Sequence, residues 1–179
     1  MMHIKAIEII ARSLRGSVKG DPEGRAQMAL GQYIAGMGFS NVGLGIVHSM
    51  AHPLSAVYDI PHGVACAILL TPVLKFNAPS TADKYRDIAV AMGVKNTEDM
   101  SIEQARQACI EAVEKLSVDV GIPQKLTQLG VKEEDLQFLS ESAFVDACTP
   151  GNPRDVSVEA IKEIYKIYHV IKILKLKKR

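Results

Sequence analysis

Residues 47–70 read VHSMAHPLSAVYDIPHGVACAILL, and three of the five histidines of the chain, His48, His52 and His62, fall inside them. If residues 47–52 are helical, His48 and His52 stand at i and i+4, one turn apart on the same face. Two imidazoles on one helical face are a common start for a metal site. His62 cannot join them along a continuous helix, because the fourteen-residue separation at about 1.5 Å rise would carry it roughly 21 Å away. Pro61 is compatible with the start of a second helix, and it pushes Ile60 toward an extended conformation. The stretch therefore predicts a helix-turn-helix corner that points His62 back toward His48.

Helical signals extend outward from this corner in both directions, and no stretch alternates apolar and polar residues for long enough to suggest a sheet. The expected fold class is all-α. A first helix is expected over residues 2–14, with Ile4, Ile7, Ile10, Ala11 and Leu14 on one face, stopping before Gly16 and Gly20. Asp21 and Pro22 read as the N-cap and first-turn proline of a second helix running toward Met37. The small-residue stretch GMGFSNVGLG (36–45) then leads into the histidines. Its glycines do not meet the dinucleotide fingerprint, since GMGFSN ends in Asn41 and no strand precedes it.

After Pro61 the next helix carries the apolar run 64–70 and ends before Asn77, Ala78 and Pro79. Ser80 or Thr81 can cap a helix that ends at Gly93. Ser101 and Gln104 form a capping box for the expected longest helix, residues 102–120, which stops at Gly121 with Pro123 behind it. Shorter pieces follow. The loop CTPGNPRD (148–155) precedes a last helix beginning after Ser157, whose apolar stripe is Ile161, Ile164, Tyr165, Tyr168 and Ile171. With no internal repeat or linker, residues 1–179 read as one multi-helix, bundle-like domain.

Composition narrows the partners. A 47% hydrophobic and 23% charged chain suits a folded domain rather than a disordered one. The formal charge of +1 offers no case for nucleic acid or an anionic membrane. The longest uninterrupted apolar runs, such as GVACAILL, are shorter than the roughly 20 residues of a membrane span, and the start lacks a leader pattern, so a cytoplasmic location is expected. Three cysteines, Cys66, Cys109 and Cys148, in no ligand spacing suit buried reduced thiols rather than a redox switch. Taken singly, a histidine on an apolar helix is more often a satisfied core residue than a ligand; three in one segment shift the balance. Three imidazoles without a nearby carboxylate do not close an octahedral site, and no HExxH pattern points to a metalloprotease.

The stretch 36–77, GMGFSNVGLGIVHSMAHPLSAVYDIPHGVACAILLTPVLKFN, resembles the signature region of the group III iron-containing alcohol dehydrogenases, in particular their lactaldehyde reductase (propanediol oxidoreductase) branch. The resemblance continues through HIKAIEIIARSLRGSV (3–18), KYRDIAVAMGV (84–94), DVGIP (119–123), CTPGNPRD and EAIKEIYK (159–166). It implies the helical, dehydroquinate synthase-like C-terminal domain of a two-domain enzyme, whose N-terminal α/β domain binds NAD(P). Family metal ligands are one Asp and three His. By motif, His48 and His62 match the last two ligand histidines. His52 matches the histidine beside the metal, near nicotinamide and substrate, and this assignment stands against the i, i+4 spacing that makes His52 a natural second ligand. The implied metal is divalent, Fe2+ or Zn2+, acting as a Lewis acid on small aldehydes and alcohols or diols, while His52 helps to move the proton. A homodimer is a further partner the resemblance allows.

Three departures follow from the same comparison. The chain begins after the expected Asp and first His ligands and without the nucleotide domain, so residues 1–179 alone are expected to be inactive. Cys66 stands where relatives commonly carry Asn, one turn after His62, and packing is favoured there over a thiolate contact. The ending HVIKILKLKKR, a basic tail at 170–179 with Lys172, Lys175, Lys177, Lys178 and Arg179, reads as a frayed, solvated helix end or a reading-frame artefact before a membrane-surface or acidic-partner tail. The competing function is a non-catalytic helical module for association or metal binding.

Overall fold

The computed structural model describes residues 2–169, which form eight α-helices joined by short 3-10 turns, with no strand among the described residues. Helices α1 (Met2–Val18) and α2 (Pro22–Val42) make an antiparallel pair, with Asp21 accepting a hydrogen bond from the Gly24 amide at the start of α2. Their close approach comes from α2, whose buried residues Gly24, Gly31 and Gly38 repeat every seven positions on the face toward α1. A Cβ added at Gly31 would lie 3.0 Å from Ile10 Cγ1, and one at Gly38 would lie 2.6 Å from His3 Nε2. At Gly24 the nearest atoms are backbone, Ser17 N at 2.7 Å, which no rotamer change can move. Gly24→Ala is therefore expected to cost about 1–3 kcal/mol through overpacking, read as a lower urea midpoint. Gly36 has nothing within 4 Å, so Gly36→Ala should leave stability unchanged or raise it by about 0.5–1 kcal/mol; equal midpoints for the two variants would contradict the seam.

This pairing changes two expectations. Helix α1 does not stop at Gly16 but runs through it to Val18, and its buried residues are Ala6, Ile9 and Ala11, while Ile4 is exposed. Of the expected stripe Ile4, Ile7, Ile10, Ala11 and Leu14, Ala11 is buried and Ile7, Ile10 and Leu14 are partly so, with Ile10 set against Gly31 of α2. Helix α2 absorbs Gly36 and Gly38 and continues past Met37, so at 21 residues it is the longest helix among the described residues, ahead of the 18 residues of α6.

Helices α3 (Ile46–Tyr58) and α4 (His62–Asn77) form the predicted corner. Helix α5 (Lys84–Ala91) has Asp83 at its N-cap position, without a side-chain cap hydrogen bond, rather than Ser80 or Thr81; the Thr81 hydroxyl donates to the Ala78 carbonyl at 2.9 Å. Helix α6 (Ile102–Asp119) has the expected capping box: the Gln104 amide donates to Ser101 Oγ at 3.2 Å, and the Ser101 amide donates to Gln104 Oε1 at 2.8 Å. Gly93 and Gly121, with φ of 88° and 78°, supply the left-handed residues that end α5 and α6. Helices α7 (Leu136–Phe144) and α8 (Val158–His169) complete the order. In α8, Ile161, Ile164 and Tyr165 are buried and Tyr168 is partly so; Ile171 and the basic tail at 170–179 lie outside the described residues.

The main core lies among α3, α4, α7 and α8, where Ile46, Met50, Leu54, Leu69, Leu139 and Tyr165 are fully buried. Tyr165 satisfies its hydroxyl by donating to the Met50 carbonyl at 2.6 Å. A smaller cluster of Tyr85, Ala89, Cys109 and Ile110 joins α5 to α6. Counted with the turn that follows it, the segment His62–Ser80 is long and apolar enough by composition to cross a membrane, a longer span than the run GVACAILL implied. In the fold, its Ala65, Ile68, Leu69, Thr71 and Val73 are buried, with α3, α6 and α8 packed around α4. Its apolarity is that of a core helix covered on several sides.

Candidate metal centre

The corner is built from local rules. Helix α3 ends at Tyr58, Asp59 takes the left-handed conformation (φ 52°), and Pro61 is the extended N-cap residue (φ −53°, ψ 128°) from which α4 starts at His62. Pro61 thus precedes the first turn rather than lying in it, and its carbonyl accepts from the Val64 and Ala65 amides at 2.8 and 3.0 Å. Tyr58 pins the corner to the chain leading into α7: its hydroxyl donates to the Asp135 carboxylate and accepts from the Lys132 amide at 3.0 Å.

The reversal brings all three histidines together. Ring centroids of His48 and His62 are 5.5 Å apart, and those of His52 and His62 are 5.4 Å apart with the rings stacked at 18°. His48 and His52, one turn apart on α3, are separated by 6.4 Å. A straight helix would have left His62 roughly 21 Å from His48.

Two donor groups lie at this corner. One is His48, His62 and Cys66, and the other is His52, Asp146 and Cys148; within each group the ligand atoms lie within 4.8 Å of one another. Partial burial, and then the neighbouring His62 and His52, hold the His48 pKa below the usual imidazole value, against the opposing pull of Asp146. A neutral ring with a free lone pair is the form that binds a metal. Burial pushes the Cys66 thiol up to about 11, so without a cation beside it the thiol keeps its proton. Cys66 and Cys148 are half-buried members of the two donor groups. Only Cys109 matches the expectation of a fully buried packing thiol.

Asp146 was not legible in advance. It lies in the turn after α7, ninety-four residues from His52, and His52 Nδ1 is 2.8 Å from its Oδ2. Burial would raise the Asp146 pKa, but the Cys148 amide donating to Oδ1 at 2.8 Å, and then His52, hold it below the ordinary carboxylate value. An ionised carboxylate only accepts, so Nδ1 of His52 carries a proton, and it is Nε2 that keeps the free lone pair in the neutral ring. Asp146→Asn is expected to release this choice. Long-range 1H–15N spectra at alkaline pH should then show His52 moving from the Nδ1–H tautomer toward the Nε2–H form; an unchanged spectrum would remove Asp146 from the site. The loop after Asp146 is itself tied down, because Asn152 and Asn77 exchange side-chain hydrogen bonds of 2.8 and 2.9 Å and Arg154 donates to the Phe76 carbonyl at 2.7 Å.

Imidazole and thiol donors converging at this spacing fit a divalent ion such as Zn2+ or Fe2+. Among the described residues no strand runs into a glycine-rich helix start, so the dinucleotide fingerprint is not met within them. The sequence agrees with the geometry, since residues 1–168 match the family model described as Fe-containing alcohol dehydrogenase family, C-terminal. The chain belongs to the iron-containing alcohol dehydrogenase family. Within that family it is 60% identical over 164 residues to lactaldehyde reductase of Escherichia coli (strain K12), covering 92% of this chain and 43% of that protein. It is 44% identical over 165 residues to 1,3-propanediol dehydrogenase of Citrobacter freundii, covering 91% of this chain and 42% of that protein. Among solved structures, a 1,3-propanediol oxidoreductase superposes with a TM-score of 0.88 at 42% identity, over 91% of this chain and 43% of the other. The chain thus spans less than half the length of the iron-containing alcohol dehydrogenases it matches.

Proposed function

We propose that this chain is the metal-holding part of an NAD(P)-dependent alcohol dehydrogenase that interconverts small aldehydes with alcohols or diols, with His48 and His62 as metal ligands and His52 as the catalytic proton carrier. The observation that carries this reading is the return of His62 to 5.5 Å from His48 across the α3–α4 corner. When bound, the metal supplies Lewis acidity toward a substrate oxygen. His48 and His62 would direct neutral imidazole lone pairs at it. His52 has Nδ1 committed to Asp146, which supports a role in proton transfer at Nε2 rather than metal ligation. Asp146 would hold that ring in one orientation and one tautomer. The similarity to lactaldehyde reductase and 1,3-propanediol dehydrogenase supports small aldehydes and alcohols as the substrate class.

Cofactor binding, hydride transfer and the remaining Asp and His ligands are assigned to the region of the relatives that this chain does not span, and the cytoplasm is the proposed compartment. Exposed apolar residues along α2, among them Tyr33, Met37, Phe39 and Val42, favour association with that region or with a second copy. Calorimetric titration of the purified chain with Zn(II) and Fe(II) tests the reading: one saturable equivalent is expected, and no binding of either ion would overturn it. In the same preparation, residues 1–179 alone are expected to give no NAD(P)-linked turnover of lactaldehyde or propanediol.

A further inference from the structure

The corner that gathers the histidines also delivers a thiol to them. Cys66 follows His62 by one turn of α4, and its Sγ lies 3.4 Å from His62 Nε2. The ligand atoms of His48, His62 and Cys66 all fall within 4.8 Å of one another. In a tetrahedral zinc site with Zn–N of about 2.0–2.1 Å and Zn–S of about 2.3 Å, a bound nitrogen and a bound sulfur are about 3.5 Å apart. The His62–Cys66 separation is therefore already that of one edge of a coordination tetrahedron. Of the other cysteines, Cys109 packs with Tyr85, Ala89 and Ile110, and Cys148 belongs with His52 and Asp146 to the second donor group.

We propose that Cys66 is a third metal ligand of this chain, making with His48 and His62 a two-imidazole, one-thiolate site that holds Zn2+ or Co2+ with one position left open. The proposal rests on the reading of His48 and His62 as ligands. Binding breaks the S–H bond of Cys66, releases that proton to the solvent and forms a sulfur–metal bond, with no change of oxidation state. A thiolate in place of a purely nitrogen and oxygen donor set favours the softer Zn2+ over Fe2+. Three ligands from the α3–α4 corner also mean that residues 1–179 need no donor from elsewhere to retain the ion.

Cobalt(II) titration of the reduced, full 179-residue chain tests this, because thiolate ligation produces a sulfur-to-cobalt charge-transfer band in the near ultraviolet that imidazole and carboxylate donors do not. The expected result is a saturable band that is lost in Cys66→Ser and in Cys66→Ala and retained in Cys148→Ser, with far-ultraviolet circular dichroism reporting the fold of each variant. Cobalt binding without the band would overturn the role of Cys66 and leave His48 and His62 as ligands. A band that survives in Cys66→Ser and disappears in Cys148→Ser would place the ion on the other donor group and overturn the proposal. No cobalt binding at all would overturn both this inference and the metal reading beneath it.

Discussion

Replacing both His48 and His62 by alanine is expected to abolish tight divalent-metal binding, with affinity falling by at least about a hundredfold in calorimetric titration. Loss of a residue that merely orients a ligand commonly costs 10–100-fold, and removal of two ligands costs more. Both rings meet at the corner, with His62 exposed and His48 half-buried, and neither belongs to the main core. The variant should therefore keep its helical circular dichroism and its urea midpoint. Retained affinity would mean that the ion sits with His52, Asp146 and Cys148, and the assignment of His48 and His62 would fall.

Leu69→Ala is expected to produce the largest loss of stability, about 2–5 kcal/mol, because a fully buried leucine leaves both a lost transfer term and a cavity. Leu69 is 0% exposed in the core among α3, α4, α7 and α8, on the helix whose first turns present His62 and Cys66. For a chain of this size the change corresponds to a lowering of Tm by about 10 °C. The adjacent Leu70 is 39% exposed, and Leu70→Ala should stay within about 0.5–1 kcal/mol of the parent. Comparable losses at the two positions would show that α4 is not packed in the register described.

Much of the fold was legible because it rests on rules that act within a few residues. Ser101 and Gln104 cap α6 through their own backbone amides, and Gly121 ends it through its own φ. Pro61, lacking an amide and pushing Ile60 away from the helical region, marks the break between α3 and α4. The same break implied that His62 returns to His48, so the histidine cluster was readable from spacing alone. Gly16 and Gly38 misled, since a helical glycine is a stop signal only where no neighbour rewards it. Here the α1–α2 contact lays the His3 ring against Gly38 and sets the Gly16 and Ser17 backbone against Gly24.

The sequence by itself determined an all-helical chain, a histidine corner and the family signature that surrounds it. Only the tertiary structure decided what each histidine meets. Asp146 reaches His52 because α7 packs on α3, and nothing in the local sequence of either residue encodes a partner ninety-four positions away. Cys66 stands beside His62 through the i, i+4 spacing of α4 itself, but the pair meets His48 only because the chain turns back at the corner between α3 and α4. Periodicity and caps report interactions between neighbours along the chain, whereas a donor set is a property of surfaces that meet only after the helices have packed.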